Sequence, residues 1–206
     1  MEKSIRFRDL REEDVDFVYM CKNDEKLNRY VVGDWHPFSH EEAEAWLRGC
    51  MTNSADFKYW AVCSNDSEER IVGWVSLSKI NPVEKSAHFY GIVIGDKQYQ
   101  GGTAWMECYQ MIFEKVFLEM KYRRLTGSHL SIHPVSGLIE ECMFMDVDKV
   151  ERNAIEKNGE LVDHIFVSID SESYLKHYRD GDYELPKIES RILSKYREIY
   201  RARKKK

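Results

Sequence analysis

The chain has 206 residues, 43% hydrophobic and 33% charged, which is enough for one sizeable core and short for two full domains. Its 12 Tyr, 9 Phe and 5 Trp exclude disorder as the dominant state, and no run approaches the roughly 18 apolar residues of a membrane helix. The net charge of −5 is uneven: residues 189–206 hold eight Lys/Arg against two Glu, leaving −11 on the rest.

An acidic body attracts amines and other cations and repels nucleic acid. The basic end, RARKKK, is available to an acidic partner but reads first as a solvated, frayed helix end. Cys21, Cys50, Cys63, Cys108 and Cys142 are odd in number and far apart, with no Cys-x-x-Cys. That spacing argues against a disulfide framework or zinc site and for buried free thiols. The opening MEKSIRFRDLREED is too charged for a secretory signal, so the expected compartment is the cytoplasm.

Alternation over Ser4–Arg8 predicts a short strand, and Leu10, Val15, Phe17, Val18 and Cys21 predict a helix over Asp9–Asn23. Ser39-His40-Glu41-Glu42 is a capping box that opens a second helix, with Ala43, Trp46 and Leu47 on its apolar stripe and Gly49 at its end. Strands follow at Phe57–Cys63 and Ile71–Leu77, joined by the polar turn Ser64–Ser67, and then at Ala87–Ile94. Trp105, Met106, Tyr109, Ile112, Phe113, Val116 and Phe117 give the strongest helical pattern in the chain. Beyond it come a strand at Arg124–Ile132, a weak helix at Val135–Cys142, and strands at Val150–Glu156 and Leu161–Ile169 around Asn158-Gly159, a hairpin signal. Helical material broken by Pro186 completes the chain. The order β-α-α-β-β-β-α-β-α-β-β predicts one α/β (α+β) domain around a mixed, mostly antiparallel sheet flanked by helices.

A strand, a glycine turn and a long helix meet at Ile94–Ala104. The first amides of a helix have no internal acceptor and lie at the positive end of its dipole, so such a turn can cradle phosphate oxygens. The turn is neither a Walker loop nor a dinucleotide fingerprint, having only Gly101 and Gly102. Gln98-Tyr99-Gln100-Gly101-Gly102-Thr103 resembles the signature turn of the GNAT acyltransferases, Arg/Gln-x-x-Gly-x-Gly/Ala, with Thr103 in the last position. Ile5–Asp14, Pro37-Phe38-Ser39 with Trp46, and Gly159–His164 are similar to the opening strand, second helix and closing hairpin of the branch that acetylates ribosomal-protein N-termini and antibiotics. The similarity covers about residues 3–175, so the expected division is a GNAT acyltransferase domain over 1–175 and a helical basic extension over 176–206. The number of subunits stays open between a monomer and a homodimer.

The resemblance implies acetyl-CoA as co-substrate and a primary amine as acceptor, with direct attack in a ternary complex. It assigns the pantetheine arm to the backbone of Ile92, Val93 and Ile94, and the pyrophosphate to the turn led by Gln98 and to the amides of Gln100, Gly101, Gly102, Thr103 and Ala104. A base must deprotonate the amine and an acid can assist the thiol. Candidates are His88 on the strand before the turn, and His133 and Ser131 near the end of the next strand. Tyr90 is a substitute acid if it faces the cleft, and Trp35, His36 and Phe38 border the implied acceptor pocket. Each also reads as an ordinary packed or surface side chain. Ile139 stands where the family often has a tyrosine and Met143 where it has a glycine, which leaves an acyl-CoA-binding module without catalysis as an alternative, along with a different acyl donor. Glu140 and Glu141 read as a solvated helix face. Pro37 between His36 and His40 argues against a two-histidine metal site, and no metal is expected.

Overall fold

A computed structural model describes residues 3–33, 35–52 and 54–203. Strand β1 (Ile5–Arg8) leads through a tight turn at Glu12–Asp14 into helix α1 (Val15–Lys22), a single-turn helix α2 (Glu25–Asn28) and helix α3 (His40–Met51). The buried ion pair of Arg8 with Asp14, 2.7 Å, ties strand to turn. The capping box at α3 forms as its sequence dictates: Ser39 Oγ accepts from the Glu42 amide at 3.2 Å, and Glu42 Oε2 accepts from the Ser39 amide at 2.6 Å.

Strands β2 (Lys58–Ser64), β3 (Ile71–Asn81) and β4 (Ser86–Ile94) form an antiparallel meander. The single turn α4 (Lys97–Gln100) and helix α5 (Ala104–Phe113) follow, and α5 continues into a wider-wound segment at Glu114–Glu119. Strand β5 (Arg124–Leu130), helix α6 (Ser136–Cys142), the long hairpin β6 (Asp146–Lys157) and β7 (Glu160–Asp170), and helices α7 (Ser171–Arg179) and α8 (Leu185–Arg203) complete the order. Pro186 sits in the first turn of α8, where a missing amide costs nothing, and the helix break lies ahead of it at 180–184. Lys204, Lys205 and Lys206 of the basic end fall outside the described residues.

The seven strands run β1-β2-β3-β4-β5-β7-β6, with every neighbouring pair antiparallel except β4 and β5. One face packs on α5 through Leu77, Phe89, Ile112, Phe113 and Leu125, and Tyr174, Tyr183 and Ile188 from the chain's last third join the same cluster. The other face, on the β2–β4 side, carries α1 and α3 over Ala61, Cys63 and Trp74. All five cysteines are buried and unpaired. No helix among the described residues is long and apolar enough to cross a membrane.

Candidate active site

The parallel ladder between β4 and β5 runs from Ser86 opposite Arg124 to Phe89 opposite Gly127 and stops there. Strand β4 goes on against β3 as far as Ile94 opposite Gly73, while β5 turns to β7. The register of β4 on β3 shifts at Ser76/Leu77, an irregularity that places Tyr90 and Gly91 at the point of departure. The sheet is therefore split, and Ile92, Val93 and Ile94 show one backbone edge that no strand among the described residues covers. Their side chains are already spoken for: Ile92 and Ile94 pack on the α5 side and Val93 on the α1/α3 side. What remains for a ligand along this arm is the main chain, a row of donors and acceptors suited to an extended amide-bearing molecule.

At the far end of that arm the turn is built by capping. Asp96 accepts from the Gln98 amide at 2.9 Å and opens α4, and Arg70 forms an ion pair with Asp96 while its other nitrogen reaches Gln98 Oε1 at 3.4 Å. Gln100 Nε2 donates to the Ile94 carbonyl at 3.0 Å, fastening the turn to the end of β4. Gly95 is required by packing, since a Cβ there would stand 2.2 Å from Cys21 Sγ. Gly101 is different. Its backbone, φ −93 and ψ 0, suits any residue, and a Cβ would meet nothing within 4 Å. Fold packing therefore does not require glycine at 101; a ligand lying on the backbone does. The α5 amides start directly behind it, and Thr103, instead of capping them, donates its hydroxyl to Glu107 Oε1 at 2.6 Å. A groove of about 760 Å³ lies beside the turn, between Met20, Asn23, Lys26 and Leu27 of the α1–α2 corner and Lys97 and Gln100 of α4.

His88 lies just below the split, with Nδ1 2.9 Å from Thr126 Oγ1 on β5. Burial, then the charges of Lys79 and His164, push its pKa from 6.5 down to about 4, so the ring is neutral at neutral pH. An unfolded imidazole binds a proton below about pH 6.5, whereas the folded one resists until about 4. Stability must therefore fall as the pH drops through that window. His88→Gln is expected to flatten that acid limb in thermal unfolding curves; an unchanged limb would show that other groups set it.

His133 lies past the end of β5. Its Nδ1 accepts from the Ser136 amide at 3.0 Å and lies 2.8 Å from Ser136 Oγ, and its ring stands edge-on to Tyr30 at 5.0 Å. Burial and His129 lower its pKa. Ser131 continues the β5–β7 ladder: its amide donates to the Asp163 carbonyl at 2.9 Å and its Oγ accepts from the Asp163 amide at 3.1 Å. Tyr90 is exposed at the split, edge-on to Phe57 at 5.5 Å.

The aromatic residues before α3 pack towards α1. Trp35 Nε1 donates to the Lys22 carbonyl at 2.8 Å, and the exposed His36 stacks on Phe38 at 5.4 Å. Phe38 then joins Trp46 and Trp74 around the chain's own Lys22, whose Nζ lies 5.3, 4.1 and 5.8 Å from the three ring centres. The cation held by these rings is internal, and burial lowers its pKa.

Glu140 corrects the sequence reading. It is only 6% exposed, its Oε2 is 2.6 Å from His129 Nδ1, and only Glu141 faces solvent, paired with Lys195 at 2.7 Å. Among the described residues no group of three His, Cys, Asp or Glu side chains is placed to hold a metal ion.

Residues 4–141 match the family model described as acetyltransferase (GNAT) domain. A comparison with curated protein sequences finds no match. Solved structures similar to this one include spermidine N-acetyltransferase from Vibrio cholerae in complex with CoA and spermine, at TM-score 0.74 and 18% identity over 84% of this chain and 99% of that one. A GCN5-related N-acetyltransferase from Brucella melitensis gives TM-score 0.72 and 17% identity over 89% and 84%, and a GNAT-family acetyltransferase from Bacillus anthracis gives 0.70 and 19% over 84% and 98%.

Proposed function

The chain belongs to the GNAT acetyltransferase family, and on that premise we propose that it transfers the acetyl group of acetyl-CoA to a primary amine of a cationic acceptor. The observation that carries the reading is the split after Phe89 and Gly127, an uncovered backbone edge that leads straight to a glycine turn and a helix start. The main chain of Ile92–Ile94 pairs with the pantetheine arm, and the amides of Gly101, Gly102 and Ala104 hold the pyrophosphate; acetyl-CoA supplies an activated acyl group there. The bare Cβ positions at Gly101 and Gly102 fit this task.

His88 is the base to test first. Held by Thr126 and neutral at working pH, it adds no positive charge against a cationic amine, and so weak a base relays the amine proton to water rather than keeping it. The acidic balance of residues 1–188 favours polycations, and the Vibrio cholerae structure is of a spermidine enzyme. A peptide N-terminus is the competing acceptor, in keeping with the resemblance to N-terminal acetyltransferases. The buried, unpaired thiols agree with a reducing compartment, the cytoplasm.

The direct test is CoA thiol release from acetyl-CoA with spermidine and with an unblocked peptide as alternative acceptors. Release that requires the polyamine supports the reading. Binding without release to either amine supports the second one, a non-catalytic acyl-CoA-binding module, which the apolar, core-packed Ile139 favours.

A further inference from the structure

The reaction proposed above expels a thiolate, and a thiolate leaves more readily when a proton meets it. On the α6 side of the split, Ile139 has none to give. We propose that His129, held by Glu140, is the group that presents a proton to the departing sulfur; the inference rests on the acetyl-transfer reading.

His129 lies two residues past Gly127, the last β5 residue paired with β4, and so on the free arm of the split. Strand alternation puts it on the face of Leu125 and Gly127, towards the core. Its side chain is 9% exposed and that of Glu140 is 8% exposed, and Nδ1 and Oε2 stand 2.6 Å apart. Neither atom makes a hydrogen bond of ordinary geometry among the described residues. Two bare lone pairs do not approach so closely, so a proton belongs to the pair. A buried ionisable pair in an apolar layer is weak support for stability compared with hydrophobic side chains of the same volume, which makes a chemical role the better account of it. The second nitrogen is left room: a Cβ at Gly137 would lie 3.5 Å from His129 Nε2, and glycine supplies none.

The charged and titratable groups facing the pair are Tyr109 of α5, whose pKa Glu140 helps to raise, His133 beyond β5 and His164 of β7. In the step itself the acceptor nitrogen forms its bond to the carbonyl carbon and the carbon–sulfur bond breaks. The sulfur leaves with the bonding pair and takes the proton from His129 Nε2. The proton shed by the amine passes to water, and solvent reprotonates His129 before the next turnover.

Calorimetric titration with CoA and with desulfo-CoA, across the pH range in which the free thiol ionises, separates this role from a structural one. The wild-type protein is expected to prefer CoA by roughly tenfold once the thiolate forms, the size of one charge-assisted hydrogen bond. His129→Gln should erase that preference and leave desulfo-CoA affinity unchanged. A preference that survives in His129→Gln overturns the proposal, as does its absence from the wild-type protein, a result that needs no folded variant. Glu140→Gln should weaken the preference without abolishing binding. If the wild-type protein binds neither ligand, the acetyl-CoA reading itself fails.

Discussion

Replacing Gly101 with glutamate is expected to leave the protein folded and to weaken acetyl-CoA binding by at least a hundredfold. The backbone at 101 is in a conformation open to any residue and the Cβ position is empty, so melting temperature should hardly move. The new carboxylate would lie beside the α5 amides, which serve the pyrophosphate in this account. Two like charges about 4 Å apart near a protein surface repel by about 4 kcal/mol, two to three powers of ten in affinity. Gly101→Ala, with bulk but no charge, should cost far less. Calorimetry on both variants checks this, and equal affinity in Gly101→Glu and wild type would place the cofactor elsewhere.

The largest stability effect is expected at Glu107, a carboxylate only 1% exposed in the middle of the most hydrophobic helix. It accepts from the Ser4 amide at 2.7 Å, the Ser4 hydroxyl at 2.9 Å, the Ile5 amide at 3.2 Å and the Thr103 hydroxyl at 2.6 Å. One side chain therefore fastens the first strand and the phosphate-binding turn to the same helix. Glu107→Ala would leave four donors without their acceptor, at a cost of about 3–5 kcal/mol. Thermal unfolding should show a fall of roughly 10 °C. Glu107→Gln, which retains one carbonyl oxygen, should lose less, and a fall of only a degree or two in Glu107→Ala would mean that water replaces the network freely.

Features legible in the sequence were those in which cause and effect lie a few residues apart. The capping box at Ser39 needs only Glu42. Asn158 and Gly159 carry the positive φ values, 54 and 79, that close β6 onto β7. The glycine turn was legible as a possible phosphate cradle for the same reason. The single turns α2 and α4 were missed although Asp24 and Asp96 cap them from the preceding position, a signal that was present. The insertion of β7 between β5 and β6 was not legible, because that order is set by pairing across more than thirty residues. Glu107 and Glu140 escaped for a related reason. A glutamate in a helical pattern reads as solvent-facing until its partners are known, and Ser4 and His129 lie on other elements. The cage of Phe38, Trp46 and Trp74 was visible as aromatic character near the acceptor side, but not as the seat of Lys22.

The measurement that tests the account most directly is calorimetric titration of the purified protein with acetyl-CoA. The split sheet and the turn at Gly101 predict one saturable site of micromolar affinity, lost in Gly101→Glu and retained in His88→Gln. No binding of acetyl-CoA, CoA or a longer acyl-CoA would contradict it, and the glycine turn would then be a connection without a ligand.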